Sequence, residues 1–170
     1  MLLLAMRSVS VIAHDIRSTH NVGSLLRTCE GLGVSHVYFT GYTPYPFIAD
    51  DTDRLPHITA KLSAQIHKTA LGAETLVPWS HHTDVCALIA QLKTEGYIVA
   101  ALEQGERSTT LPEYHAPDKL ALLLGREVEG IDPELLQACD TLLEIPMDGQ
   151  KESFNVVQAA AMALYQLRFY

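Results

Sequence analysis

Several things are missing from this sequence, and each absence removes a class. No run approaches the about 18–20 apolar residues that a membrane-spanning helix needs, although 48% of the residues are hydrophobic. The opening Met-Leu-Leu-Leu-Ala-Met is too short for the apolar region of a signal peptide, and no basic residue precedes it. A soluble, cytoplasmic protein is the expectation. Cysteine is scarce: Cys29, Cys86 and Cys139 are odd in number and far apart, which argues against a disulfide framework and against a cysteine-based zinc site. All three are expected to be small buried hydrophobes in a reducing compartment. Low-complexity tracts and internal repeats are also missing. Basic residues are outnumbered, 12 Lys+Arg against 20 Asp+Glu, for a net charge of −8. An acidic chain is a poor non-specific binder of nucleic acid. The imbalance is concentrated in residues 86–170, where six basic groups face thirteen acidic ones; residues 1–85 carry six and seven, with seven of the eight histidines. If the protein meets nucleic acid, the near-neutral first half is the expected surface.

What is present reads as one globular domain. The 170 residues fit a single domain of roughly 100–200 residues. Residues 8–14 (SVSVIAH) alternate and are β-branched, as in a strand. Residues 21–32 place Val22, Leu25, Leu26 and Cys29 at helical spacing, with Gly31 and Gly33 as the stop. A second strand is predicted over 36–40. The stretch 41–56 holds three prolines and the aspartates Asp50, Asp51 and Asp53; it is a long loop, either mobile or functional. Then follow a helix over 58–71, a short strand over 75–77 and an amphipathic helix over 83–95. Residues 97–102 and 120–124 (LALLL) are continuous apolar runs, the pattern of strands covered on both faces of a parallel sheet. A short helix over 132–139 with Pro133 at its first position, a strand over 141–145 and a closing helix over 153–169 complete the chain. Strands alternating with helices throughout mean an α/β fold with a mostly parallel sheet flanked by helices.

In such sheets ligands bind beyond the carboxyl ends of the strands, so the loops there are where chemistry is sought. Three are unusual. The first ends in Asn21-x-Gly23-x-x-x-Arg27. The second is Gly125-Arg-Glu-Val-Glu-Gly130. The third runs Ile145-Pro-Met-Asp-Gly-Gln-Lys-Glu-Ser-Phe-Asn155. Each also has an ordinary structural reading. Asn21, Ser153 and Asn155 can cap helices, Arg27 can be a solvated helix residue, and Glu127 with Glu129 can be surface charge. The second loop lacks the Gly-x-Gly-x-x-Gly of a dinucleotide site. Its two carboxylates, at i and i+2, cannot flank a glycosidic bond from two sides. The His81-His82 pair has no evident partner ligands, so no metal is expected.

Taken in order, Asn21-x-Gly23-x-x-x-Arg27 with Gly33, Leu124-Gly125-x-Glu127-x-x-Gly130, and Ile145-Pro146-Met147 followed by Ser153-Phe-Asn155-Val156 resemble the motifs of the SPOUT superfamily. The match is to the SpoU (TrmH-type) RNA 2′-O-ribose methyltransferases. It covers nearly the whole chain and departs mildly at Phe154 and at Val157-Gln158. The resemblance implies an α/β fold closed by a C-terminal deep trefoil knot, one of the exceptions to unknotted chains. It implies S-adenosylmethionine as cofactor, held by the backbone near Leu102, Gly125, Ile145 and Met147, with Ser153 and Phe154 beside it. Asn21, Glu127, Ser153 and Asn155 would organise the reactive end. Arg27 would face the target nucleotide, as proton acceptor in the family account or, since a guanidinium stays protonated, as a bidentate phosphate and ribose positioner. A homodimer built on the first and last helices, a tRNA or rRNA substrate, and a single domain over 1–170 without an appended RNA-binding domain are the remaining expectations. A competing class is a catalytically idle knotted domain that binds RNA or nucleotide. Loss of Arg27 or Asn155 would favour it, and both are present. A base methyltransferase on the same knot is a third, against which the Asn-x-Gly-x-x-x-Arg segment speaks.

Overall fold

The structure, a computed structural model, describes residues 7–49 and 51–170. The apolar start at residues 1–6 and Asp50 of the aspartate cluster lie outside the described residues. Seven strands, β1 (Ser8–His14), β2 (His36–Thr40), β3 (Trp79–His82), β4 (Ile98–Leu102), β5 (Thr109–Thr110), β6 (Lys119–Leu124) and β7 (Thr141–Glu144), form one sheet in the order β3-β2-β1-β6-β4-β7-β5. Every pairing is parallel, so all carboxyl ends share one edge. Five helices, α1 (Thr19–Gly31), α2 (Pro56–Ala70), α3 (Val85–Thr94), α4 (Pro133–Ala138) and α5 (Val156–Phe169), cover the two faces.

The period-2 alternation of the central strand divides the core. Leu120, Leu122 and Leu124 face the layer of α1, α2 and α5, where Leu25, Leu26, Ile66, Leu164 and Leu167 are buried. Ala121 and Leu123 face the opposite layer, with Leu88, Ile89 and Leu92 of α3 and Leu135 of α4. Burying each such leucine side chain contributes about 1.5–3 kcal/mol. No described helix is long and apolar enough to cross a membrane.

Differences from the sequence reading have local causes. The strand expected over 75–77 is a 3-10 turn, Ala73–Thr75, and the strand begins after Pro78, at Trp79. Val77 is buried by packing rather than by pairing, whereas the polar, half-buried Trp79–His82 segment is the one in register with β2. The helix predicted over 58–71 starts two residues earlier because Pro56 occupies its first turn, where a missing N–H costs nothing. Cys29 is buried and its thiol is pushed far up by desolvation; Cys139 is half-buried and pushed up to about 11. Cys86 departs from the expectation: it lies exposed on the outer face of α3. The two-residue β5 was not foreseen, since Thr109–Thr110 is too short to show a period.

Candidate active site

Three crossover loops meet at the carboxyl edge. Leu102 ends β4 and Glu103 and Gln104 follow it, Leu124 ends β6 and residues 125–130 follow it, and residues 145–156 run from β7 into α5. Between them is a cavity of about 270 Å³, walled by these segments and by Ala159. Of the residues expected to hold cofactor, Leu102, Gly125, Ile145, Ser153 and Phe154 line it. Phe154 stands at the rim, 39% exposed. Met147 does not line it; its sulfur instead receives the Gln104 side-chain amide at 3.7 Å. The loop carrying Met147 turns outward after Ile145, and Pro146 is exposed.

The glycines of the second loop have separate reasons. A Cβ on Gly125 would stand 2.4 Å from Ile131 Cγ1 and 3.1 Å from the Gly130 backbone, so the loop closes only with no side chain there. Gly130 has φ +71°, the left-handed region that favours glycine. The bend brings Arg126 Nε within 3.2 Å of the Gly130 carbonyl and its guanidinium onto Asp132.

At the mouth of the cavity, three predicted residues from three parts of the chain touch. Asn21 Nδ2 donates to Glu127 Oε1 at 3.1 Å, and Asn155 Nδ2 donates to Asn21 Oδ1 at 3.4 Å. Asn21 is not the cap of α1, as its ordinary reading had it. Ser18 caps the helix, its Oγ accepting from the Asn21 N–H at 3.2 Å, which leaves the Asn21 amide free for the site. Asn155 does cap α5, its Oδ1 accepting from the Val157 N–H at 2.9 Å, while its Nδ2 serves the cluster. Ser153 is exposed and caps nothing. Gly23 has a packing role: a Cβ would sit 2.2 Å from Thr69 Oγ1 and 2.3 Å from the Ile66 carbonyl, so α1 and α2 approach only across a glycine.

Arg27 is absent from this cavity. It is exposed on the outer side of α1, where it borders an apolar groove of about 560 Å³ between α1 and α5 with Ala161, Met162 and Tyr165. Glu103 was missed by sequence reasoning. Its carboxylate lines the cavity, accepting from the Ile131 N–H at 3.1 Å and from the Gln104 N–H at 3.0 Å. The available signal was an acidic residue directly after a fully apolar strand, at the end where ligands bind. His14 also belongs to this edge. Burial holds its pKa below the ordinary histidine value, against the opposing pull of Asp15, and its Nδ1 pairs with Thr40 Oγ1 at 2.9 Å. Among the described residues, no three His, Cys, Asp or Glu side chains are grouped to hold a metal ion.

A wholly parallel, doubly covered sheet with a cavity at the strand ends defines the α/β architecture in which ligand sites lie among the crossover loops. Residues 8–165 match the model of the SpoU rRNA Methylase family. The chain belongs to that family. It is 32% identical over 159 residues to the 23S rRNA (guanosine-2′-O-)-methyltransferase RlmB of Neisseria meningitidis, covering 93% of this chain and 57% of the relative. It is 31% identical over 158 residues to the mouse tRNA (guanosine(18)-2′-O)-methyltransferase TARBP1, covering 92% of this chain and 9% of that protein. The chain thus spans under two thirds of the length of these relatives. Among solved structures, the AdoMet-bound rRNA methyltransferase from Sinorhizobium meliloti superposes with a TM-score of 0.80 at 21% identity, covering 96% of this chain and 56% of that one.

Proposed function

We propose that this protein transfers the methyl group of S-adenosylmethionine to the ribose 2′-hydroxyl of a nucleotide in structured RNA, tRNA or rRNA, working as a cytoplasmic homodimer. The observation that carries this reading is the convergence of Asn21, Glu127 and Asn155 at the mouth of a cavity walled by the 102–104, 124–130 and 145–156 loops. Family membership supports it, as do the two relatives, both named as ribose methyltransferases of guanosine in RNA.

The cavity suits a cationic nucleoside. Leu102, Leu124 and Ile145 offer apolar walls for a base, and the Glu103 and Glu127 carboxylates suit ribose hydroxyls and a positive centre. When bound, S-adenosylmethionine supplies an electrophilic methyl group on a sulfonium. That methyl would pass to the ribose oxygen, the sulfur keeping the electron pair of the broken bond and the hydroxyl proton going to an RNA phosphate or water. Asn21, Glu127 and Asn155 orient the reacting groups, with Ser153 and Phe154 closing the cavity rim. Orientation of this kind supplies much of the rate in such displacements. No metal takes part in this scheme.

Arg27 enters through the dimer. The exposed groove between α1 and α5, with Met162 38% and Tyr165 51% exposed, supports pairing of these helices with a second copy. Across such an interface, Arg27 of one subunit reaches the site of the other and binds the RNA phosphate beside the target ribose. The C-terminal trefoil knot belongs to the same proposal. Its support is that β7 inserts between β4 and β5, while Gln104 Nε2 donates to the Glu152 carbonyl at 3.2 Å, tying the loop after β4 to the segment after β7. Calorimetry with S-adenosylmethionine and its demethylated product, on protein treated with chelator, tests the reading. One site per chain is expected, and no binding of either compound would overturn it.

A further inference from the structure

The 41–56 loop and the His81-His82 pair, both conspicuous in the sequence, take no part in the cavity described above. The loop and His81, but not His82, meet in a second cavity of about 380 Å³ at the ends of β1 and β2, lined by Arg17, Thr19, Tyr42, Tyr45, Arg54 and His81 among others. One wall is rigid. The Tyr45 and His81 rings stack at 4.1 Å and 19°, and the Arg54 guanidinium lies 3.6 Å over the Tyr45 ring. Arg54 is fully engaged, bonding to Asp51 Oδ2 at 2.6 Å and to the carbonyls of Tyr45 at 2.7 Å and Pro46 at 2.9 Å. It shapes the wall and has little left to offer a ligand.

Arg17 and Tyr42 stand opposite in character. Both are exposed, Tyr42 by 48%. The Arg17 guanidinium lies 5.5 Å from the Tyr42 ring centroid, and among the described residues Arg17 forms no salt bridge. The ring's position is set from below: the Tyr42 N–H donates to Asp15 Oδ1 at 3.0 Å, and Asp15 itself holds φ 57° to present that oxygen. A cation with no carboxylate partner within salt-bridge distance among the described residues and a half-exposed aromatic ring are therefore presented together, the guanidinium over the ring. Because β2, β1 and β6 are adjacent parallel strands, this pair shares the edge of the first cavity, and Arg17 is within electrostatic reach of Glu127 in its wall and of the neighbouring Glu129.

An exposed aromatic ring with an arginine that has no salt-bridge partner among the described residues is the chemistry that binds an unstacked nucleotide, base on ring and phosphate on guanidinium. A chain of net charge −8 has little general attraction for RNA, so it must rely on such placed contacts. We propose that the second cavity holds a nucleotide of the RNA substrate neighbouring the methylated one, with its base stacked on Tyr42 and its phosphate bound by Arg17. This rests on the RNA-methyltransferase reading above.

The test uses the full chain and RNA extracted from cells lacking its gene. Tyr42→Ala should weaken RNA binding about tenfold, seen as a raised KM with kcat within about twofold, while Tyr42→Phe should bind like wild type. Arg17→Ala should also weaken binding and lower the salt dependence by about one phosphate contact; Arg17→Lys should retain that slope. Ultraviolet cross-linking should join RNA to the peptide containing Tyr42. Calorimetric affinity for S-adenosylmethionine should be unchanged in all four variants. If wild type methylates RNA while Arg17→Ala and Tyr42→Ala bind it equally well, the subsite is refuted and the enzyme reading stands. Arg17-dependent binding of inorganic phosphate or adenosine monophosphate as tight as that of RNA would also refute it, as a site for free ligands. A wild-type protein that binds neither cofactor nor RNA would bring down both proposals.

Discussion

Asn21 and Glu127 are 106 positions apart in the chain, yet the amide of one donates to the carboxylate of the other at 3.1 Å. The contact ties the start of α1 to the loop after β6 and orients the Asn21 amide so that its Oδ1 faces Asn155. Asn21→Asp removes the donor and sets a second carboxylate against Glu127. Like charges at that distance repel, and the orientation of the cluster is lost. Methyl transfer should fall about 100-fold or more, with the melting temperature close to wild type because Ser18 still caps the helix. Undiminished turnover in Asn21→Asp would show the contact to be idle.

Gly125 is closed in by atoms that cannot yield cheaply, Ile131 and the Gly130 backbone. Gly125→Ala must therefore open the 125–130 loop, which forms one side of the cavity. Affinity for S-adenosylmethionine measured by calorimetry should drop at least about tenfold, with a modest stability loss of about 1–3 kcal/mol. Gly149 has open space around its Cα, so Gly149→Ala is the control and should bind normally.

Arg27 and Asn155 lie on different surfaces of one chain and, in the proposed dimer, in one composite site. Each of Arg27→Ala and Asn155→Ala should be nearly inactive alone, and Arg27→Ala should still bind cofactor. Mixing the two and allowing subunits to exchange yields heterodimers with one intact site, so activity should recover to a fraction of wild type. Exchange confirmed by mass, with no recovery, would place both residues in the same chain's site. Light scattering at micromolar concentration should meanwhile give about twice the 18.7 kDa chain mass.

Three histidines make stability depend on pH. His14, His36 and His81 are each held below the ordinary histidine pKa, chiefly by burial. Below about pH 6.5 the unfolded chain takes up protons on these rings before the folded chain does. The unfolded state then binds more protons, so stability rises with pH through that window and is lost as pH falls. Urea midpoints should decline from pH 7.5 to 5.5, and His36→Gln should flatten the decline. A midpoint independent of pH over that range would contradict the assignment.

Much of the fold could be read from the chain because its central strands are buried on both faces. The Leu120–Leu124 and Ile98–Leu102 runs admit few alternatives once helical patterns are seen between them. The edges of the sheet were harder. Trp79–His82 has neither an apolar run nor a clean alternation, and its pairing with β2 is set by tertiary contact. In the site, three loops were recognisable by motif, but the division of labour within them was not. Nothing local shows that Ser18 rather than Asn21 caps α1, that Gly23 is required by Thr69 on another helix, or that the Met147 sulfur meets Gln104. Those outcomes depend on residues 40 or more positions distant. Glu103 carries only a weak signal, a single acidic residue at a strand end with no motif around it.

The central claim is ribose methylation of RNA. It is tested most directly by incubating the protein with isotopically methyl-labelled S-adenosylmethionine and RNA from cells lacking its gene, then mapping modified nucleotides by mass spectrometry. The account predicts label at the 2′-oxygen of a defined nucleotide in tRNA or rRNA, one that also lacks the methyl group in those cells. Label on a base, or no label in RNA while cofactor binds normally, would contradict it.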